Sequence, residues 1–404
     1  MADRITLVPE QAKELINKYG SPLYVYDEGI IRERCREVRA LSPYPGFLPN
    51  YSAKANTNIE LLKIVKDEGL HADAMSPGEI LAEEAAGFRP EELLFISNNV
   101  SVDEMRFALD RGIMISVDSL SQLAQYGAAF GASFPRVAFR LNPGIGAGHS
   151  AKVVTGGKSK FGIEQKDVNR VQEIARTYGL VIAGIDQHIG SLFLNAGEYL
   201  AAADVLFETA REFPNLAFID LGGGLGVPYK PGEPRLDMRA FGQQLSPKIA
   251  DFTGRYANHT IRIMIEPGRY ISAESCILLG TVHSVKENYG ETYIGTDIGF
   301  NVLMRPVLYD SWHDIRIFTA NKTAQKVTVT GNICESGDIL ARDRDLPLPE
   351  PGDLIGVENA GAYGYAMASN YNSRLRPAEV LIALDGKDRL IRRRDTYEDL
   401  LRQL

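Results

Sequence analysis

The chain has 404 residues, 45% of them hydrophobic and 24% charged, with a formal net charge of −8. That length exceeds one compact domain of ordinary size and predicts two, each with its own core. The acidic balance gives no reason to expect nucleic acid or an anionic membrane as partner.

The start, Met1-Ala2-Asp3-Arg4-Ile5-Thr6, has no apolar leader segment, and no later run of about 18 apolar residues follows, so the expectation is a cytoplasmic protein with no membrane contact. Cys35, Cys276 and Cys334 are far apart and odd in number. They fit free thiols in a reducing compartment better than a disulfide framework, and no Cys/His spacing suggests a metal site.

The first strand-like run is Leu23-Tyr24-Val25-Tyr26. Between about 47 and 269, eight short runs rich in β-branched and apolar residues alternate with longer stretches at helical spacing. The runs end in Ser52-Ala53-Lys54, Ala72-Asp73-Ala74, Phe95-Ile96-Ser97, Ile115-Ser116-Val117, Phe139-Arg140-Leu141, Asp186-Gln187-His188, Ile219-Asp220-Leu221 and Met264-Ile265-Glu266. Segments such as 59–65 and 201–207 between them read as helices. This alternation predicts parallel strands with crossover helices, and the polar and glycine residues gathered at one end of nearly every strand favour closure as a (β/α)8 TIM-like barrel. After about residue 270 the helical period disappears, and strand-like runs such as 326–330 and 379–384 are separated by turn signals at Asn288-Tyr289-Gly290 and Asp385-Gly386. The expected organisation is therefore an α/β barrel over 27–270 and a mostly antiparallel β-domain built from 1–26 and 271–404. The terminal run Arg392-Arg393-Arg394 reads as a solvated face.

Functional candidates gather at the carboxyl ends of the predicted strands, where parallel barrels place their chemistry. Lys54 ends the first strand, and a buried lysine there can lose its proton and form a Schiff base with an aldehyde cofactor. Gln187-His188-Ile189-Gly190-Ser191 offers an imidazole able to lie flat on a ring, then a hydroxyl for phosphate. Gly222-Gly223-Gly224 ends the seventh strand with backbone amides suited to phosphate. The dinucleotide fingerprint fails there because position 227 is Val. Ile265-Glu266-Pro267-Gly268-Arg269 places a carboxylate beside an arginine. A carboxylate paired with a protonated pyridine nitrogen keeps pyridoxal phosphate an electron sink, and the arginine can bind a substrate carboxylate bidentately. Each feature alone also fits a bland reading: a salt-bridged lysine, a structural histidine, a tight turn, a surface ion pair. Their convergence on one rim is what points to a Schiff-base phosphate cofactor. The second domain adds Arg305 and Tyr309 in Met304-Arg305-Pro306-Val307-Leu308-Tyr309, Cys334 and Glu335 in Cys334-Glu335-Ser336-Gly337-Asp338, and Tyr363 between glycines.

Together these residues resemble the fold-type III, alanine-racemase-like pyridoxal-phosphate decarboxylases, and most closely their bacterial diaminopimelate-decarboxylating members. The likeness runs from Tyr24-Val25-Tyr26-Asp27 to Leu390-Ile391-Arg392-Arg393-Arg394 and includes Asn142-Pro143-Gly144, Gly148-His149-Ser150, Thr155-Gly156-Gly157 and Ser369-Asn370-Tyr371-Asn372-Ser373-Arg374. The resemblance implies that Lys54 holds the cofactor aldehyde, His188 stacks on its ring and Glu266 binds the ring nitrogen. Ser191, Gly223, Gly224 and Tyr363 would contact the phosphate, Gly268 and Arg269 would border the cofactor, and Asp73 and Arg140 would support the lysine and histidine from behind. Arg269, Arg305, Tyr309 and Tyr363 would hold substrate, with Cys334 and Glu335 reaching in from the other subunit of a homodimer with shared active sites. Asp186-Gln187 departs from the histidine and apolar residue common in relatives, at no mapped catalytic position.

The implied activity is decarboxylation of meso-2,6-diaminopimelate to L-lysine and carbon dioxide, the last step of lysine biosynthesis. An arginine pair suits a substrate that keeps a second carboxylate after reaction, and Glu335 suits its distal ammonium. Related decarboxylation of a siderophore or polyamine intermediate, D-lysine or D-ornithine is the alternative. A racemase or an inactive binding paralogue fits less well, because Cys334 and Glu335 supply the wrong chemistry for the former and Lys54, His188, Glu266 and Cys334 are retained against the latter.

Overall fold

The computed structural model describes residues 4–96, 98–148, 152 and 154–402. Ser97, expected at the end of the third strand, and His149 and Ser150 lie outside the described residues. The chain divides into two compact units, one formed by Glu33–Val227 with Pro234–Tyr270 and the other by Met1–Arg32, Pro228–Glu233 and Ile271–Leu404.

In the first unit eight parallel strands close into a barrel: β1 Phe47–Ser52, β2 His71–Ala74, β3 Leu93–Ile96, β4 Met114–Val117, β5 Arg136–Asn142, β6 Val181–Gln187, β7 Phe218–Gly223 and β8 Arg262–Glu266. Each pairs with the next in chain order, and β8 returns to β1 with Met264 opposite Leu48. Helices between strands begin where a short polar side chain accepts a backbone N–H: Asn58 from Glu60, Ser76 from Glu79, Ser101 from Glu104 and Ser119 from Gln122. These caps satisfy donors the first helical turn leaves open and so end each connection sharply. Helix Ile59–Asp67 buries Leu61, Leu62, Ile64 and Val65, the face its apolar period predicts.

The two-residue period of a strand sends alternate side chains into the lumen. Low in the barrel these are Leu94, Ala138, Phe218 and Met264, packed together as an apolar plug with Ile96, Leu48 and Met114. Two or four residues further along, the same alternation delivers Asn50, Ser52, Ser116, Arg140, Asp220 and Glu266, joined by Asp73 and Asp186, all buried. The barrel is thus greasy at its base and ionisable at its upper end.

The second unit is a nine-stranded sheet, mostly antiparallel. Leu23–Asp27 sits inside it, antiparallel to Cys276–Asn288 and parallel to Ala378–Ile382. Leu23 and Val25 join Ile277, Leu279, Ala378 and Val380 in a core covered by Ala12 and Leu15 of helix Pro9–Tyr19. The other face of that strand carries Tyr24 and Tyr26, whose hydroxyls donate to the Val302 carbonyl and to Glu379. Tyr289 and Gly290, at φ 51° and 82°, turn Cys276–Asn288 back into Glu291–Thr296 as the sequence signal requires.

The arginine run departs from its expectation. Arg392 pairs with the buried Glu379, and Arg394 donates to the Pro22 carbonyl, so only Arg393, paired with Asp399, stays exposed. A buried carboxylate and strand-end carbonyls need donors, and alternate strand positions supply them. Among the described residues no helix is long and apolar enough to cross a membrane.

Candidate active site

Lys54 does not lie in β1 itself but in the single 3-10 turn, Ala53–Ala55, that follows it, half-buried between buried alanines. Ser52, one step earlier, donates to Asp73 at 3.2 Å, and the two residues are register partners across β1 and β2. Burial pushes the Asp73 carboxyl well above its ordinary value, against the opposing pull of Lys54.

His188 follows β6 and is fixed from three sides. Arg140 Nη2 and Thr155 Oγ1 donate to its carbonyl at 3.2 and 2.6 Å, and the Gly223 amide donates to Nδ1 at 3.1 Å. Nδ1 accepting that bond places the ring proton on Nε2. Burial, with the Lys54 and Arg140 charges, holds the imidazole well below its usual range, so the ring is neutral and its face is apolar. Arg140 itself lies 3.8 Å from Asp118 and over the Phe161 ring.

The glycines earn their places sterically. A Cβ at Gly223 would stand 2.0 Å from the Glu266 carbonyl, one at Gly222 2.0 Å from the Gln187 carbonyl, and one at Gly224 2.2 Å from the Phe193 ring. Gly222 and Gly224 also take φ +75° and +107°. The Gly223 amide donates to His188 Nδ1. Gly190–Ser191 forms a short parallel pair with Ala147–Gly148, and Arg269 donates to Ser191 Oγ through Nε at 3.3 Å and Nη2 at 3.0 Å. Gly268 lets the next turn lie close to Ser52 and Ala55.

Glu266 ends β8 with 4% exposure, 3.9 Å from His188 Nδ1 through Oε2, while its Oε1 is buried without a hydrogen-bond partner among the described residues. Burial first, and the Asp73 carboxylate second, push its pKa well above the ordinary value. A buried acid holding a proton beside an open acceptor position fits a pyridine nitrogen: the pair shares that proton, and the cationic ring then stabilises the carboxylate. The donor set at this rim therefore fits pyridoxal phosphate.

A family model described as the pyridoxal-dependent decarboxylase, pyridoxal binding domain, matches residues 28–273. The chain belongs to the pyridoxal-dependent decarboxylase family. The diaminopimelate decarboxylase of Methanothermobacter thermautotrophicus is 43% identical over 97% of this chain and 93% of its own. That of Escherichia coli is 34% identical over 98% and 96%. Among solved structures, diaminopimelate decarboxylase from Helicobacter pylori complexed with L-lysine superposes with a TM-score of 0.89 at 32% identity, covering 97% of this chain and 98% of that one. This decarboxylase uses pyridoxal phosphate.

The second unit of the decarboxylase carries the remaining predicted residues. Arg305, 1% exposed, opens the short helix Arg305–Tyr309 and lies on His313 Nε2 at 2.8 Å, on Ser311 Oγ at 3.3 Å and over the Tyr229 ring. Tyr309, at the end of that helix, is partly exposed. Cys334 and Glu335 are exposed on a loop braced by Asp338, which accepts the amides of Phe300 and Ile333 at 2.7 Å. The Cys334 amide donates to Asn372, and Tyr371 donates to Glu335 at 2.5 Å. Tyr363 is held at φ +57°, strained for a bulky side chain, two residues after Gly361, where a Cβ would stand 1.9 Å from the Ser272 carbonyl.

Sequence reasoning passed over the lumen acids Asp118, Asp186 and Asp220. Asp186, set aside as a departure at no mapped position, is 1% exposed inside the barrel and accepts from Ser116. Counting in twos back from His188 would have found Asp186, and onward from the apolar inward positions Met114 and Phe218 would have found Asp118 and Asp220.

Proposed function

We propose that this chain decarboxylates meso-2,6-diaminopimelate to L-lysine and carbon dioxide, as a homodimer with shared active sites. The observation that carries the site assignment is the buried Oε1 of protonated Glu266, unpartnered among the described residues, beside neutral His188 at the same rim as Lys54. The full-length likeness to diaminopimelate decarboxylases carries the substrate.

Lys54 would hold the cofactor through its aldehyde. Pyridoxal phosphate, when bound, supplies a ring that takes up the electron pair left at Cα as carbon dioxide departs. Glu266 would pair with the ring nitrogen, and His188, neutral and fixed by Arg140 and Gly223, would offer the ring its apolar face. Ser191, Gly223, Gly224 and Tyr363 would border the phosphate, with Arg269 beside Ser191; the Gly223 amide also steadies His188. Arg269, Arg305 and Tyr309 would receive the distal carboxylate of the substrate, whose second ammonium would meet Glu335 of the partner subunit. Cys334, contributed by the partner subunit, returns a proton to Cα.

The test is carbon dioxide release from purified protein given meso-diaminopimelate, D-lysine, D-ornithine or carboxynorspermidine in turn. Turnover with diaminopimelate well above the others is expected. A preference for any other substrate overturns the assignment.

A further inference from the structure

Asp186 occupies a position that the catalytic roles above leave unused. In the parallel register it stands directly between Arg140 on β5 and Asp220 on β7. Ser116 on β4 donates to its carboxylate, while Asp118, two residues on from Ser116, lies 3.8 Å from Arg140; Asp186 faces that guanidinium as its register partner and feels its charge without a direct ion pair. The other ionisable groups facing this part of the lumen are Asp73 from β2, Glu266 from β8, His188 just past β6 and Lys54 just past β1. If all were ionised, five carboxylates would oppose three cations in a buried space, which the low dielectric disfavours. The geometry sorts them. Asp186 alone has both a hydroxyl donor and a guanidinium in the neighbouring register position, whereas Asp220 has the Asn50 amide at 3.4 Å and the Gly222 N–H. The negative charge therefore settles on Asp186, and Asp220 and Glu266 keep their protons.

We propose that Asp186 is a positioning residue of the cofactor site: its carboxylate, seated on Ser116, anchors the guanidinium of Arg140 that carries His188, and its charge keeps a proton on the Glu266 side of the lumen. This rests on the reading of that lumen as the pyridoxal phosphate site. Burial raises the Asp186 carboxyl to about 6, opposed by Arg140 and Ser116, so the charge is present at neutral pH and lost on mild acidification.

The test is the absorption spectrum of the bound cofactor from pH 5 to 9, with its dissociation constant and with kcat and KM, in wild-type holoenzyme and Asp186→Asn. Wild type is expected to show a spectral transition centred near pH 6 that Asp186→Asn lacks. At pH 7.5 the variant should bind pyridoxal phosphate about tenfold more weakly, the effect of one unit of proton affinity at the ring nitrogen. Its kcat should fall with little change in KM, because Asp186 touches no substrate. Ser116→Ala, which keeps the charge but removes the hydroxyl, should move the transition to higher pH and serves if Asp186→Asn does not fold. Retention of the transition and of wild-type affinity in Asp186→Asn, or an unmoved transition in Ser116→Ala, overturns the role. Failure of wild type to fix the cofactor on Lys54 overturns the site reading instead.

Discussion

Glu83 is the most exposed weakness in the barrel's stability, and its removal makes a quantitative test. It lies in helix Pro77–Ala85 with 0% exposure, and neither carboxyl oxygen has a hydrogen-bond partner among the described residues. Burial first, then the Glu79 and Glu84 charges, raise it from the ordinary 4.5 to about 9. At pH 7 the folded chain must therefore hold a proton that the unfolded chain has released. The cost is about 2.5 pKa units at 1.36 kcal/mol each, or about 3 kcal/mol. Because the folded value is raised, the native state is relatively most stable below pH 4.5, loses stability as pH rises, and levels off above about 9. Glu83→Gln keeps the shape and the lack of partners but removes the titration. Urea unfolding of apoprotein should show the variant more stable by about 3 kcal/mol at pH 7 and nearly equal to wild type at pH 4.5. A gain that is independent of pH, or a loss at pH 7, would refute the reasoning.

Borohydride reduction of holoenzyme followed by peptide mapping should find the pyridoxyl group on Lys54, and Lys54→Ala should abolish turnover; an adduct on another lysine sinks that assignment. Glu266→Gln should still bind cofactor but decarboxylate slower by on the order of 10², the loss of a charge-assisted bond to the ring nitrogen; an unimpaired variant contradicts the role. Mixing inactive Lys54→Ala and Cys334→Ala proteins under subunit exchange should restore roughly a quarter of wild-type activity, since half the pairs are mixed and each holds one intact site. Proven mixed dimers as inactive as their parents would show that Cys334 does not act across subunits.

Much of the barrel was legible because its signals are local. A strand's apolar run, a capping Ser or Asn and a following helical period depend on neighbours a few residues away, so the eight strands and the division from the β-rich remainder could be read in order. Lys54, His188, Gly222-Gly223-Gly224 and Glu266 were legible for a related reason: once strands are parallel, their carboxyl ends share one rim, and chemistry-bearing residues at those ends meet without further information.

What only the tertiary structure decided was charge. Whether Asp186, Asp220 and Glu266 are ionised depends on which strands stand beside them and how deeply the lumen is closed, and no spacing along the chain records either. The same holds for the Gly223 amide, which turns to His188 because β6 and β7 are in register, and for Arg392 and Arg394, drawn inward by Glu379 and Pro22. Sequence determines which groups each strand offers. Closure of the sheet determines which of them lose water, and the loss of water sets their protons.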